Sequence, residues 1–221
     1  HNELTFSLNY AFTENFMLPL SHDEVVYGKQ SLVNKMPGDQ WQKFANLRIL
    51  FGFMFTHPGT NLIFQGAEFG QYDEWNFQSS LDWHLLENKL NKGILKLISK
   101  LNSLYRSETA LYDQQFIDKG FEWIDFNDAE NSVLSYIRKD KDNHKLIVVC
   151  NFTPVPRENY RIGIENVKSL KLLLNSDDKI YGGTGHYQNK NVKIEKLEHH
   201  TKNTSINLEL PPLGFLIFKA I

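Results

Sequence analysis

Apolar positions along the chain change their period near residue 110. Phe16 to Leu20 is continuously apolar, which predicts a short strand buried on both faces. Trp41, Phe44, Leu47, Leu50, Phe51 and Met54 then recur at helical spacing and predict a helix with one broad apolar face. Asp39 stands where its N-cap belongs, with Gln42 three residues on, the pattern of a capping box. "HPG" at 57–59 ends that helix. "NLIFQG", 61–66, predicts a second buried strand. Leu90, Ile94, Leu97, Ile98, Leu101, Leu104 and Tyr105 mark a second amphipathic helix. Strand, helix, strand, helix is the pattern of parallel βα units. A complete (β/α)8 barrel needs about 250 residues, so two units at most fit here.

Beyond Leu111 the runs shorten. Strands are expected at 121–126, 133–138, 145–153, 160–164, 170–174 and 192–197, separated by turn clusters such as "NDAEN", "DKDNH" and "YGGTG". "TSINLELPPLGFLIF" alternates, with Ile206, Leu208 and Leu210 on one face and Ser205, Asn207 and Glu209 on the other. This pattern predicts an antiparallel β-sandwich. The fold class read from the sequence is α/β followed by all-β, divided at 1–110 and 111–221.

Composition removes several function classes. The formal net charge is -2, so there is no basic footprint for nucleic acid or an anionic membrane. No apolar run approaches the ~20 residues of a membrane span. The start, "HNELTFSLNY", has neither the basic region nor the apolar core of a signal peptide. A cytoplasmic location is expected. The chain begins with His1 rather than Met and is read as a piece of a longer polypeptide. Its single cysteine, Cys150, lies in the strand-like "KLIVVCNF" and is expected to be a packed thiol.

The candidate chemistry follows the first predicted strand, where "FMLPLSHDEVVYGK" places His22, Asp23 and Glu24 together. In parallel barrels the reacting groups sit at the C-terminal ends of the strands. Glu68 holds the matching position after the second strand. The residues alone leave two readings open: a catalytic cluster, or a turn capped by Asp23 with His22 bonded to backbone. Trp75, Asn76, Leu81, Asp82 and Trp83 share the next loop, where two tryptophans and a carboxylate either meet a ligand or pack the loop onto its support. Trp41 and Trp123 are read as core residues. His199 and His200 are adjacent in a polar hairpin without spaced partner ligands, which predicts solvent exposure rather than a metal site. No motif for a metal or a cofactor is found.

"FMLPLSHDEVVYGK", "MPGDQWQKFANLR", "HPGTNLIFQGAEFGQ", "EWNFQSSLDWHLLE" and "NFTPVPRENYRIGI" occur in this order. Together they resemble the C-terminal third of the bacterial glycogen branching enzymes of glycoside hydrolase family 13. The resemblance implies that Phe16 to Leu20 and Asn61 to Gly66 are strands seven and eight of a TIM barrel, followed by an α-amylase-type C-terminal β-domain. It implies a retaining reaction that cleaves an α-1,4-glucan and transfers the chain to a 6-hydroxyl. Asp23 matches the family's third carboxylate, which binds the sugar at the cleavage point and stabilises the transition state. His22 matches its substrate-positioning neighbour. Glu68, Trp75, Asp82 and Trp83 are further candidates for glucan contact, and Glu24 is expected to be supporting. Tyr27 departs from the family, where His is usual. The nucleophile and the acid/base belong to strands N-terminal to this chain, so the chain alone is expected to be inactive and to need that N-terminal remainder. The competing expectation is a non-catalytic glucan-binding or interaction module.

Overall fold

The computed structural model describes residues 1–189 and 192–221. A short helix α1 (Asn2–Phe6) precedes strand β1 (Met17–Leu20). Then come α2 (Leu32–Lys35), α3 (Gln40–Thr56), β2 (Thr60–Ile63) and α4 (Lys89–Ser107). The second half holds β3 (Phe121–Asp125), β4 (Val133–Lys139), β5 (Lys145–Asn151), β6 (Arg157–Ile164), β7 (Leu170–Asn175), β8 (Ile194–Glu195), β9 (Thr204–Leu210) and β10 (Gly214–Ala220).

β1 and β2 form a parallel pair, in register from Met17 opposite Thr60 to Leu20 opposite Ile63. Among the described residues each strand pairs only with the other. The burial expected on both faces is absent: β1 alternates exposed and half-buried, and Met17 is 52 % exposed. β2 is half-buried throughout. A continuously apolar strand needs cover on two faces and two edges, and this pair has it on one side.

α3 begins as the sequence predicts. The Asp39 carboxylate accepts from the Gln42 N–H at 2.8 Å, and the Gln42 side chain accepts from the Asp39 N–H at 2.9 Å. The helix is not amphipathic, however. Phe44, Ala45, Leu47, Arg48, Ile49 and Phe51 are buried around its circumference, because it is wedged between α4 and the sheet strands β5 and β10. Contact with β10 is close enough to require Gly52: a Cβ there would lie 2.2 Å from the Phe215 ring. Trp41 is only half-buried and lies under the Arg48 guanidinium, 5.7 Å from ring centroid to Cζ.

The second half is an antiparallel sandwich. One sheet runs β3-β4-β5-β10-β7 and the other β6-β9-β8. Ile147, Val149, Leu216 and Phe218 face Ile162, Ile206 and Leu208 across the interior. The alternate residues Leu146, Val148, Cys150 and Ile217 face α3 and α4 instead. Both faces of β5 are therefore covered, which is why "LIVVC" carries no polar alternation. Burial pushes the Cys150 thiol up to about 12. "TSINLELPPLGFLIF" is two strands in different sheets, joined through Pro211 and Pro212. Ser205 is buried rather than on a polar face, and its hydroxyl accepts from the Arg161 guanidinium at 2.9 Å. The strand expected at 192–197 reduces to Ile194–Glu195.

Arg138 joins the two halves. Its guanidinium is fully buried and donates to the carbonyls of Thr56 at 2.7 Å, Leu111 at 3.1 Å and Gly120 at 3.3 Å. Burial without a carboxylate lowers its pKa to about 10. No helix of the described residues is long and apolar enough to cross a membrane.

Candidate functional site

β1 ends at Leu20 and delivers Ser21 in an extended conformation, followed by a tight turn over His22–Glu24. The Ser21 hydroxyl accepts from the Asp23 N–H at 3.3 Å, which caps the turn. His22 Nε2 lies 3.3 Å from Asp23 Oδ1, and both side chains are largely exposed. The His22 ring rests against Phe64 and Trp75, with centroids at 6.0 and 5.9 Å. The imidazole is thus seated by aromatic contacts while the Asp23 carboxylate faces solvent. Glu24 turns to Lys35, whose Nζ lies 3.2 Å from its carboxylate and also donates to its carbonyl.

A groove of about 580 Å³ opens beside this turn. Tyr27 lines it from the loop after β1, and Gln71, Trp75, Asn76, Phe77 and Asp82 line it from the loop after β2. Tyr27 is 95 % exposed and Phe77 78 %. The structure therefore gathers Trp75 and Asp82 in the groove and seats His22 against Trp75. His22, Asp23, Glu68 and Trp83 are not among its lining residues. Trp83 is half-exposed and lies over Phe69 at 5.3 Å. Glu68 is half-buried in the Ala67–Phe69 turn. Asn76 Oδ1 accepts from the Gln78 N–H at 2.9 Å and shapes the loop, and Leu81 is half-buried.

Two supporting residues escaped the sequence reading. Glu74 accepts from the N–H groups of Gly28 at 3.0 Å and Gln30 at 2.6 Å. Asn91 is fully buried on α4 and donates to the carbonyls of Phe69 and Gly70, both at 2.9 Å, which fixes the turn carrying Glu68. Asn91 had a visible signal: it is a polar residue on the stripe that continues through Ile94 and Ile98. Glu74 had none, since its partners lie more than forty residues away.

The histidine pair is half-buried rather than exposed as expected. His200 Nδ1 accepts from the Gly163 N–H at 3.3 Å, its Nε2 approaches Asp125 at 3.5 Å, and its ring lies 4.1 Å from that of His199. Burial, with His199 adding, lowers its pKa despite Asp125 and Asp128. Asp140, Asp142 and His144 cluster in the β4–β5 hairpin, where the Asp140 carboxylate accepts from Thr109 and from the backbone N–H groups of Asp142 and His144.

Comparison with known proteins adds the family. Residues 123–221 match the all-beta C-terminal domain of alpha amylases. The 1,4-alpha-glucan branching enzyme of Aquifex aeolicus is 53 % identical over 220 residues, covering 99 % of this chain and 35 % of that protein. The branching enzyme of Methylococcus capsulatus is 52 % identical, covering all of this chain and 30 % of its own length. Over its whole length the chain is similar to these branching enzymes. It spans about a third of the length of these relatives. Its fold is also that of more distant solved structures. A Nostoc punctiforme debranching enzyme superposes with a TM-score of 0.60 at 16 % identity, over 88 % of this chain and 34 % of that one. An alpha-amylase from H. orenii gives 0.55 at 16 % identity, over 90 % of this chain and 38 % of that one.

Proposed function

We propose that this chain is the segment of a 1,4-α-glucan branching enzyme that carries barrel strands seven and eight and the C-terminal β-domain. It would take part in forming α-1,6 branches only when joined to the rest of the polypeptide. The observation that carries this reading is the parallel β1–β2 pair, which delivers His22 and Asp23 at its C-terminal end beside an aromatic-walled groove. That is where barrels hold their reacting groups. The division at 1–110 and 111–221, and a cytoplasmic location, belong to the same proposal.

In a retaining reaction one carboxylate attacks the anomeric carbon while a second carboxyl protonates the leaving oxygen and later deprotonates the acceptor. Asp23 takes neither part. As an exposed acceptor at the barrel mouth it binds hydroxyls of the sugar at the cleavage point. Those hydrogen bonds strengthen as the ring flattens toward an oxocarbenium ion, so they lower the barrier and not only the binding energy. His22, held by Phe64 and Trp75, positions the same sugar. Glu68 and the groove residues Trp75 and Asp82, with Trp83 at the periphery, are the further glucan contacts of this reading. The nucleophile and the acid/base come from the remainder.

An iodine-stained amylose assay on the 221-residue chain, beside its Asp23→Ala variant, tests the division of labour. No change in absorbance is expected from either protein. A fall with the wild type alone would mean that carboxylates of this chain carry the reaction, and the proposal would be wrong.

A further inference from the structure

The loop after β1 and the loop after β2 are pinned together by two consecutive residues. Trp75 donates its backbone N–H to the Val25 carbonyl at 2.8 Å. Glu74 accepts from Gly28 and Gln30 with one oxygen each, at 3.0 and 2.6 Å. Hydrogen bonds to an ionised carboxylate are roughly twice as strong as neutral ones. The backbone they hold is unusual: Gly28 has φ +84° and Gln30 has φ +64°, the left-handed region in both cases. For glutamine that conformation is strained and persists only where the surroundings impose it. Two N–H groups two residues apart, both aimed at one carboxylate, are such an imposition.

Between these anchors stands Tyr27, 95 % exposed on the groove wall. An aromatic side chain that packs on nothing gains no stability from its place. Its backbone is nonetheless held on both sides, through Val25 and Gly28. This arrangement suits presentation to a ligand.

We propose that Glu74 is a positioning residue: by clasping the loop after β1 to the loop after β2 it holds Tyr27 at the groove, where a glucan chain would meet it. The inference rests on the function proposed above and deepens it. Glu74 touches no substrate and acts through the 25–30 backbone, so its loss should weaken substrate binding and spare the chemical step.

The test uses two readouts on Glu74→Ala and Glu74→Gln. The first is amide exchange in the 221-residue chain. Glu74→Ala should speed exchange at Gly28 and Gln30 by about tenfold or more, with the amides of β9 and β10 unchanged. The second is kinetics on amylose after the chain replaces the matching segment of the Aquifex aeolicus relative. There Glu74→Ala should raise KM about tenfold with kcat within about threefold, and Glu74→Gln, which keeps one acceptor, should fall between. Unchanged exchange would show that the clasp does not form. Freed amides with unchanged KM would show that it positions nothing. An inactive wild-type hybrid would overturn the function on which the inference rests, a result distinct from both.

Discussion

His57 shows how a residue can carry pH dependence without touching substrate. It caps the C-terminus of α3, with Nδ1 2.8 Å from the Pro58 carbonyl and Nε2 3.1 Å from the Ser7 hydroxyl. Burial, reinforced by the charge of Arg138 and opposed by the Pro58 carbonyl, lowers its pKa to about 4. The unfolded histidine titrates near 6.5, so between pH 6.5 and 4 the unfolded chain takes up a proton that the folded chain refuses. Stability from this group is complete above that window and is lost as pH falls through it. Urea unfolding across the range should show His57→Gln with a flatter profile than wild type; parallel profiles would refute the assignment. Arg138 makes the complementary case. Arg138→Met strands three buried carbonyls, each worth about 1–3 kcal/mol when left unpaired. A loss of several kcal/mol is expected in the same assay, and a loss below about 1 kcal/mol would mean that these contacts are dispensable.

At the scale of elements, legibility followed locality. The Asp39–Gln42 capping box was readable because both partners and the helix they start lie within four residues. Asp39→Ala should cost about 1 kcal/mol by loss of that cap, again read from urea unfolding, and no change would show that helix packing alone fixes the start of α3. The His22–Glu24 turn was legible for a similar reason, since an apolar run ends where polar residues begin. What could not be read was set by distant neighbours. α3 is buried all round because a sheet formed some ninety residues later covers one side of it. β1 is half bare because it pairs with β2 alone among the described residues. Sequence shows that a strand is fit for burial, not whether its cover is present. Amides of β1 should therefore exchange faster than those of β5 and β10; equal protection would mean that β1 is sealed by something else.

At the scale of the molecule, two apolar clusters organise the chain. One lies inside the sandwich. The other runs from α3 and α4 onto the outer face of the five-stranded sheet and so crosses residue 110. The helices are thereby fixed to the β-domain, and the β1–β2 pair and its groove project from this fixed body. In the function proposed above, a body built so presents Asp23 to a substrate, and the bond-making carboxylates are supplied by the rest of the polypeptide. The most direct test joins this chain to the remainder of a relative. This chain, in place of the matching segment of the Aquifex aeolicus branching enzyme, should restore the fall in amylose–iodine absorbance and the appearance of α-1,6 linkages. Asp23→Asn in that hybrid should reduce the rate by about 100-fold or more, the loss expected for hydrogen bonds worth several kcal/mol in the transition state, while Glu24→Gln stays within about threefold. An Asp23→Asn hybrid as active as its parent would contradict the role assigned to this residue.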